Sequence, residues 1–412
     1  PPVRLQVLDH RDQALIPVVA VSRFADEGPM SRERAPINIG IMLRTFDEKG
    51  GIGVYAKNIV RELLGRDRRN RYFLYYRSSD HTGRYGHLPN VTERVVRGRN
   101  KAFWDQVAIP LACRRDRIDV LFHPKFTVPL LGPCKSVMVV HGADWFMPEQ
   151  ARFYHPLDVR YIRTVMPWYF RAAALVLSVS ELTTRNFEAV LDLPEGKLRT
   201  VYFGPARHFE RVDDPEVRSA VGQRYGLPGR FILTLTKVGD RNRKNFRGIA
   251  AAYARYHESV DDPLPLVVGG KDCEGLRDLY RLPDEGYGAD MHFPGWIDQR
   301  DLPAVYSMAD LFLYASNLEA FPIPITEAMA CGTPIVTSDA NGLREIAGDA
   351  ACFVDPTSPE SIAQGVVEVL RDPGLRASLS RRALKRSSCF SWERCGRETL
   401  SLLESVAASP AP

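Results

Sequence analysis

The chain has 412 residues, a quarter of them charged and 45% hydrophobic, with 30 glycines and 30 prolines, which is the composition of soluble globular proteins at a length beyond one hydrophobic core. No stretch reaches the roughly 18 apolar residues of a membrane-spanning helix, which rules out such a span, and the seven cysteines stand singly with no C-x-x-C pair, so neither a disulfide scaffold nor a zinc site is signalled. Residues 1–200 hold 31 Lys and Arg against 21 Asp and Glu while the remainder holds 24 against 29, so the first half suits an anionic surface, although an arginine-rich proteome gives the same count without a partner.

Residues 1–29 have no periodicity and lack the apolar core and cleavage site of a secretory signal, so they read as a flexible extension ahead of Met30. From Ile37 the pattern is strand, glycine-rich loop and helix: Ile37 to Leu43, then Asp47 to Gly51, then an amphipathic run from Val54 to Leu64. Further strands are predicted at Tyr72 to Tyr76, Asp119 to Phe122, Ser136 to Val140 and Leu175 to Val179, most of them followed by helical sequence. Alternation of this kind predicts a parallel, doubly wound α/β sheet.

After a charged stretch ending at Gly229 the pattern restarts, with strands predicted at Phe231 to Thr236, Pro265 to Gly269, Met291 to Phe293, Leu311 to Tyr314, Pro334 to Thr337 and Cys352 to Val354. The expected organisation is therefore a first α/β domain over 30–207, a second over 208–390, and a C-terminal helix over 391–412 that closes the second domain or crosses back to the first. Open α/β sheets bind ligands beyond the carboxyl ends of their strands, which places the expected function in a cleft between two such domains.

The segment from Ser316 to Pro334 is the most informative. Glu319 and Glu327 lie eight positions apart, separated by a proline-bounded turn, with a helix expected to open near Ile325 and end at Gly332. A helix N-terminus is an anion site, and Glu327 in its first turn can accept hydrogen bonds from a polyol such as ribose. Taken alone, the same pair also reads as a dipole-complementing acid and a solvated loop acid. His141, following an apolar strand and preceding Gly142, belongs at a strand's carboxyl end.

The E-x7-E spacing with the Ala-Met-Ala-Cys-Gly-Thr-Pro run after it resembles the signature of the GT-B-fold retaining glycosyltransferases of family GT4. The loop at Gly50 and Gly51 resembles that family's first glycine-rich loop, His141 its cleft histidine, the stretch Lys237 to Asn245 its basic phosphate loop, and Phe293 to Ile297 its nucleobase-contacting strand end. The resemblance implies two Rossmann-like doubly wound domains and a metal-independent hexosyl transfer from a nucleotide sugar, GDP-mannose or a UDP-hexose, to a hydroxyl of a glycan, a lipid-linked or a small-molecule acceptor. It implies Glu319, His141 and Lys244 as catalytic residues. It also implies donor binding by Gly50, Gly51, Lys237, Arg241, Lys244, Trp296, Ile297, Phe321, Ile323 and Glu327. No metal or other cofactor is expected, because lysine and arginine can meet the charge that develops on a leaving diphosphate.

The chain departs from the family pattern where Glu-Gly-Phe-Gly-Leu-Pro becomes Glu319 to Pro324 with Ala320 and Pro322 in place of glycines. Pro322 has no N–H to donate, which leaves the amides of Phe321 and Ile323 for sugar hydroxyls. The stretches Arg94 to Trp104 and Asp158 to Arg171 mix aromatic residues with arginines, as a helix on an anionic membrane or an ordinary core helix would. Cytoplasmic location, peripheral at the inner face of the plasma membrane, is the corresponding expectation, and no nucleic-acid module is present. An epimerase or phosphorylase of the same fold, or a non-catalytic partner, is the alternative function.

Overall fold

The computed structural model describes residues 35–48, 50–240 and 242–410. The extension assigned to 1–29 and the candidate phosphate ligand Arg241 lie outside the described residues. The chain divides into two units: Gly204–Ser391, and the residues before Gly204 together with Trp392 onward.

The first unit holds seven parallel strands: β1 (Asn38–Met42), β2 (Arg71–Tyr76), β3 (Val91–Val95), β4 (Val120–His123), β5 (Lys135–Val140), β6 (Leu175–Ser178) and β7 (Leu198–Thr200). Their order in the sheet is β3-β2-β1-β4-β5-β6-β7. β4 is buried throughout and β5 at every residue but Lys135, as expected of strands covered by helices on both faces. The direction of winding reverses between β1 and β4, so the loops after those strands flank an open crevice.

Helix Trp392–Ala408 packs in this unit. Trp392 is buried, stacks on Phe203 at 4.8 Å between ring centroids and meets Tyr55 edge-on at 5.4 Å. Gly396 lies so close to the helix Gly51–Arg66 that a Cβ there would stand 2.8 Å from the Cβ of Glu62. The first unit ends at Phe203 because that ring belongs to this core. Gly204 instead lies against the backbone of Phe390, whose carbonyl oxygen would be 2.3 Å from an added Cβ.

The second unit holds β8 (Ile232–Leu235), β9 (Leu266–Gly269), β10 (Met291–Gly295), β11 (Leu311–Tyr314), β12 (Ile335–Ser338) and β13 (Cys352–Val354), in the order β10-β9-β8-β11-β12-β13 and all parallel. Its switch point lies between β8 and β11, which pair through Leu311 with Ile232 and Phe312 with Leu233. That pairing brings the loop after β8 against the loop after β11, although some 75 residues separate them.

Candidate active site

Two loops build the site in the second unit. The loop after β8 ends at Asn245, a left-handed residue (φ 57°) that starts helix Phe246–Glu258. Its side-chain amide donates to the Ala315 carbonyl at 3.0 Å and the Pro356 carbonyl at 2.7 Å, fastening this loop to the end of β11. The Asn317 amide donates to the Arg243 carbonyl at 2.9 Å, and Ser316 Oγ donates to the same carbonyl at 3.0 Å. Lys244 and Arg243 are thereby held over the acid that follows β11.

That acid is Glu319, 6% exposed. Lys244 Nζ donates to its Oε1 at 2.5 Å, the Tyr314 hydroxyl donates to the same oxygen at 2.7 Å, and Ser316 Oγ reaches it at 3.2 Å. Arg243 binds the other oxygen at 3.1 Å. Lys244 also donates to the Tyr314 hydroxyl. Burial pushes the Glu319 carboxyl up, but the Lys244 ammonium and the Arg243 guanidinium outweigh it and hold the group below the usual carboxylate range. The Lys244 ammonium is itself pulled down by burial, an effect that Glu319 opposes.

Glu327 lies in helix Ile323–Ala330 and is buried with one partner of a different kind, the Tyr306 hydroxyl, which donates to Oε2 at 3.1 Å. Burial pushes its carboxyl up to about 7, against the weaker pull of Tyr306 and Lys244. The two glutamates of the spacing motif thus occupy opposite electrostatic states, one firmly ionised and one poised to titrate near neutrality.

Other expected residues are more peripheral to this cluster. Lys237 is about half exposed and pairs with Asp240 at 3.3 Å, while Arg243 bridges Asp240 and Glu319. Arg243, which motif reading passed over for Lys237 and Arg241, is the second cation on Glu319. The Ile323 amide, expected to serve sugar hydroxyls, donates to the Phe321 carbonyl at 3.1 Å, because Pro322 turns the chain tightly into the helix. The Phe321 side chain is buried edge-on to Phe390, with ring centroids 6.1 Å apart. Trp296 is 61% exposed at the end of β10, whereas Ile297 is buried against Gly269, where an added Cβ would lie 2.8 Å from Ile297 Cδ1.

In the first unit, Gly50 (φ 112°) adopts a backbone conformation open only to glycine just before helix Gly51–Arg66. The close approach to that loop belongs to Gly53 in the first turn of the helix, where a Cβ would fall 2.0 Å from the Glu48 carbonyl oxygen, and Gly51 has open space around it. His141 follows β5 and donates from Nε2 to the Pro124 carbonyl at 3.0 Å, its ring edge-on to Tyr55. Burial pushes its imidazole down to about 4, so it is neutral at pH 7. Since a carbonyl only accepts, Nε2 carries the proton and Nδ1 is left as an acceptor for a hydroxyl.

Among the described residues, no three His, Cys, Asp or Glu side chains converge as metal ligands, and no helix is long and apolar enough to cross a membrane.

Residues 49–204 match the model of Glycosyltransferase Family 4, and residues 226–386 match that of Glycosyl transferases group 1. The O-antigen chain mannosyltransferase B of Escherichia coli is 29% identical over 294 residues, 70% of this chain and 74% of that protein. Among solved structures, sucrose-phosphate synthase from Thermosynechococcus elongatus superimposes with a TM-score of 0.71 at 19% identity, over 91% of this chain and all of that one. Anabaena HepE in complex with UDP-glucose superimposes with a TM-score of 0.70 at 17% identity, over 90% of this chain and all of that one. At such identities the structural likeness speaks for the fold, GT-B with two Rossmann-like domains. With the two family models together spanning more than half of its length, the chain belongs to the group 1, family GT4 glycosyltransferases and is a nucleotide-sugar-dependent glycosyltransferase.

Proposed function

We propose that this glycosyltransferase moves a hexose from a nucleotide sugar to a hydroxyl of a glycan, lipid-linked or small-molecule acceptor, with retention at the anomeric carbon and without a metal. Mannose from GDP-mannose is the first candidate donor, supported by the mannosyltransferase among its relatives, and a UDP-hexose is the rival, supported by the UDP-glucose bound to a structural neighbour.

The observation that carries the reading is the buried cluster of Lys244, Arg243, Tyr314 and Glu319. Departure of a nucleoside diphosphate develops negative charge, and two fixed cations in a largely dehydrated site stabilise it without reorganising at the moment of reaction. Glu319 Oε1 already accepts from Lys244, Tyr314 and Ser316, so its lone pairs are engaged and it is a poor covalent nucleophile. That favours a front-face displacement, with the leaving phosphate taking the proton of the acceptor hydroxyl. Glu319 then serves by orienting the cations and by accepting from a sugar hydroxyl, and Glu327 accepts from the ribose.

The test is to incubate the protein with GDP-mannose or UDP-glucose, a panel of hydroxyl acceptors and excess EDTA, and to read the new linkage by proton NMR. A product with the anomeric configuration of the donor, formed despite the chelator, is the expected result. An inverted product, or transfer that returns only on adding a divalent cation, overturns the proposal.

A further inference from the structure

Among the described residues, His141 makes one hydrogen bond, from Nε2 to the Pro124 carbonyl at 3.0 Å, so whatever aims that carbonyl decides which ring nitrogen is open to a hydroxyl. β4 and β5 are parallel neighbours with His123 opposite Met138, which lays the turn after β4 beside the end of β5. His123 itself closes that turn: its Nδ1 donates to the Thr127 carbonyl at 2.6 Å and so fixes the path of residues 124–126. Lys125 also ties the turn to Glu48 at 2.6 Å, but an ammonium on a flexible four-carbon stem does not orient the carbonyl of the residue before it.

The closing bond is in turn directed by a buried network. Asp105, 4% exposed and paired with Arg44 Nε at 3.0 Å, accepts the Thr127 hydroxyl proton on Oδ2 at 3.0 Å. Thr127 Oγ1 is then left to accept, from Arg44 Nη2 at 2.9 Å and from His123 Nδ1 at 3.0 Å. Both oxygens of Thr127 therefore demand the proton on Nδ1 of His123. Asp105 reaches this network from a π-turn, Trp104–Ala108, a rare departure from the α-helix that concentrates at functional sites. The far side of the His123 ring carries a penalty: Nε2 is buried with no donor in reach among the described residues, which a phenylalanine in its place would not suffer. Packing alone does not call for a histidine there. Burial lowers the pKa of both imidazoles, so at pH 7 their tautomers are the variable that remains.

We propose that Asp105, Arg44, Thr127 and His123 are positioning residues that hold His141 in its Nε2–H tautomer and keep Nδ1 as the acceptor of a substrate hydroxyl during transfer. They act through the Pro124 carbonyl. The substrate hydroxyl rests on the glycosyl-transfer reading above, whereas the tautomer does not.

The test is long-range proton–nitrogen correlation NMR of protein with labelled histidines at pH 7, with His141→Gln identifying the His141 signals. It compares wild type, His123→Phe, His123→Asn and Thr127→Val, alongside kcat/KM and thermal unfolding. The wild type should show the Nε2–H tautomer of His141 alone. His123→Phe should show a mixture and lose up to about tenfold in kcat/KM, as the loss of one hydrogen bond to a hydroxyl would, while still unfolding cooperatively. His123→Asn, whose amide can place a donor where Nδ1–H stands, should restore both readouts. Thr127→Val removes the hydroxyl that joins the turn to Asp105 and Arg44; it should move the tautomer in the same sense and decides the matter if the phenylalanine variant does not fold. A wild type protonated on Nδ1 of His141, an unchanged tautomer in the variants, or a mixture with unchanged kcat/KM overturns the proposal. The tautomer is read without donor or acceptor, so a wild type that transfers no sugar would count against the function proposed above while the NMR result still decides this inference.

Discussion

Replacing Lys244 by Met tests whether the central ion pair is held as a dehydrated unit. The side chains of Lys244 and Glu319 retain 14% and 7% of their exposure, so removing the ammonium leaves a buried carboxylate short of its nearest cation. Breaking a buried pair in this way costs about 3–5 kcal/mol, and because Arg243 stays 3.1 Å from the other carboxylate oxygen, the lower end applies. For a domain of this size about 3 kcal/mol lowers the melting temperature by roughly 6–12 °C. Glu319→Gln removes the same interaction from the other side. The double variant Lys244→Met/Glu319→Gln should therefore be less destabilised than the two singles together, with a coupling of about 1–3 kcal/mol. Because the Glu319 carboxyl is held below its ordinary value, this contribution is present above the unfolded carboxylate pKa and disappears as the pH falls through the lower folded one. Urea unfolding of the four proteins at pH 7, repeated at acid pH, measures the cycle. Additive single effects, or a Lys244→Met protein as stable as wild type, would refute the reasoning.

Glu327, at a pKa of about 7, should make donor binding pH-dependent: ribose hydroxyls favour the ionised form, so binding sheds a proton and affinity rises through neutrality. With a return to an ordinary carboxylate value on binding, a nucleotide sugar should bind about tenfold more weakly at pH 6 than at pH 8, and Glu327→Gln should flatten the profile in calorimetric titrations. Tyr314→Phe removes a buried donor to Glu319 and an acceptor of Lys244, so kcat/KM should fall by about tenfold with a stability loss near 1–2 kcal/mol, and unchanged kinetics would deny Tyr314 a positioning role. Gly396→Ala should destabilise the first unit by about 1–3 kcal/mol, because its Cβ would stand 2.8 Å from that of Glu62, and a neutral effect in thermal unfolding would contradict this packing.

What sequence could and could not disclose follows from which contacts are local. Buried parallel strands such as β5 and β11 are nearly continuous apolar runs and legible by composition alone. β3, with the sequence Val-Thr-Glu-Arg-Val on the sheet edge, and β7, only three residues long, carry little such signal. The spacing of Glu319 and Glu327 was legible because both lie on one turn-and-helix segment. Their opposite charge states were not, since these depend on Lys244 and Arg243 arriving from the loop after β8 and on Tyr306 arriving from helix Leu302–Met308. Arg243 stands next to Lys244 in the chain, a signal that was available. Its preference over Lys237 becomes apparent only when β8 and β11 are neighbours. In the same way, glycine-rich sequence identified the loop before the first helix, but only geometry separates Gly50 and Gly53, which need to be glycine, from Gly51.

The central claim, that the Lys244 and Glu327 site holds a nucleotide-sugar donor, is tested most directly by thermal unfolding with GDP-mannose, UDP-glucose and the free nucleotides. A ligand at about 100 times its Kd adds roughly 2.7 kcal/mol of stability, equivalent to about 5–11 °C here. The account expects such a shift with one nucleobase, lost in Lys244→Ala and Glu327→Ala proteins that still unfold cooperatively. No shift with any nucleotide sugar, or the same shift in both variants, would contradict it.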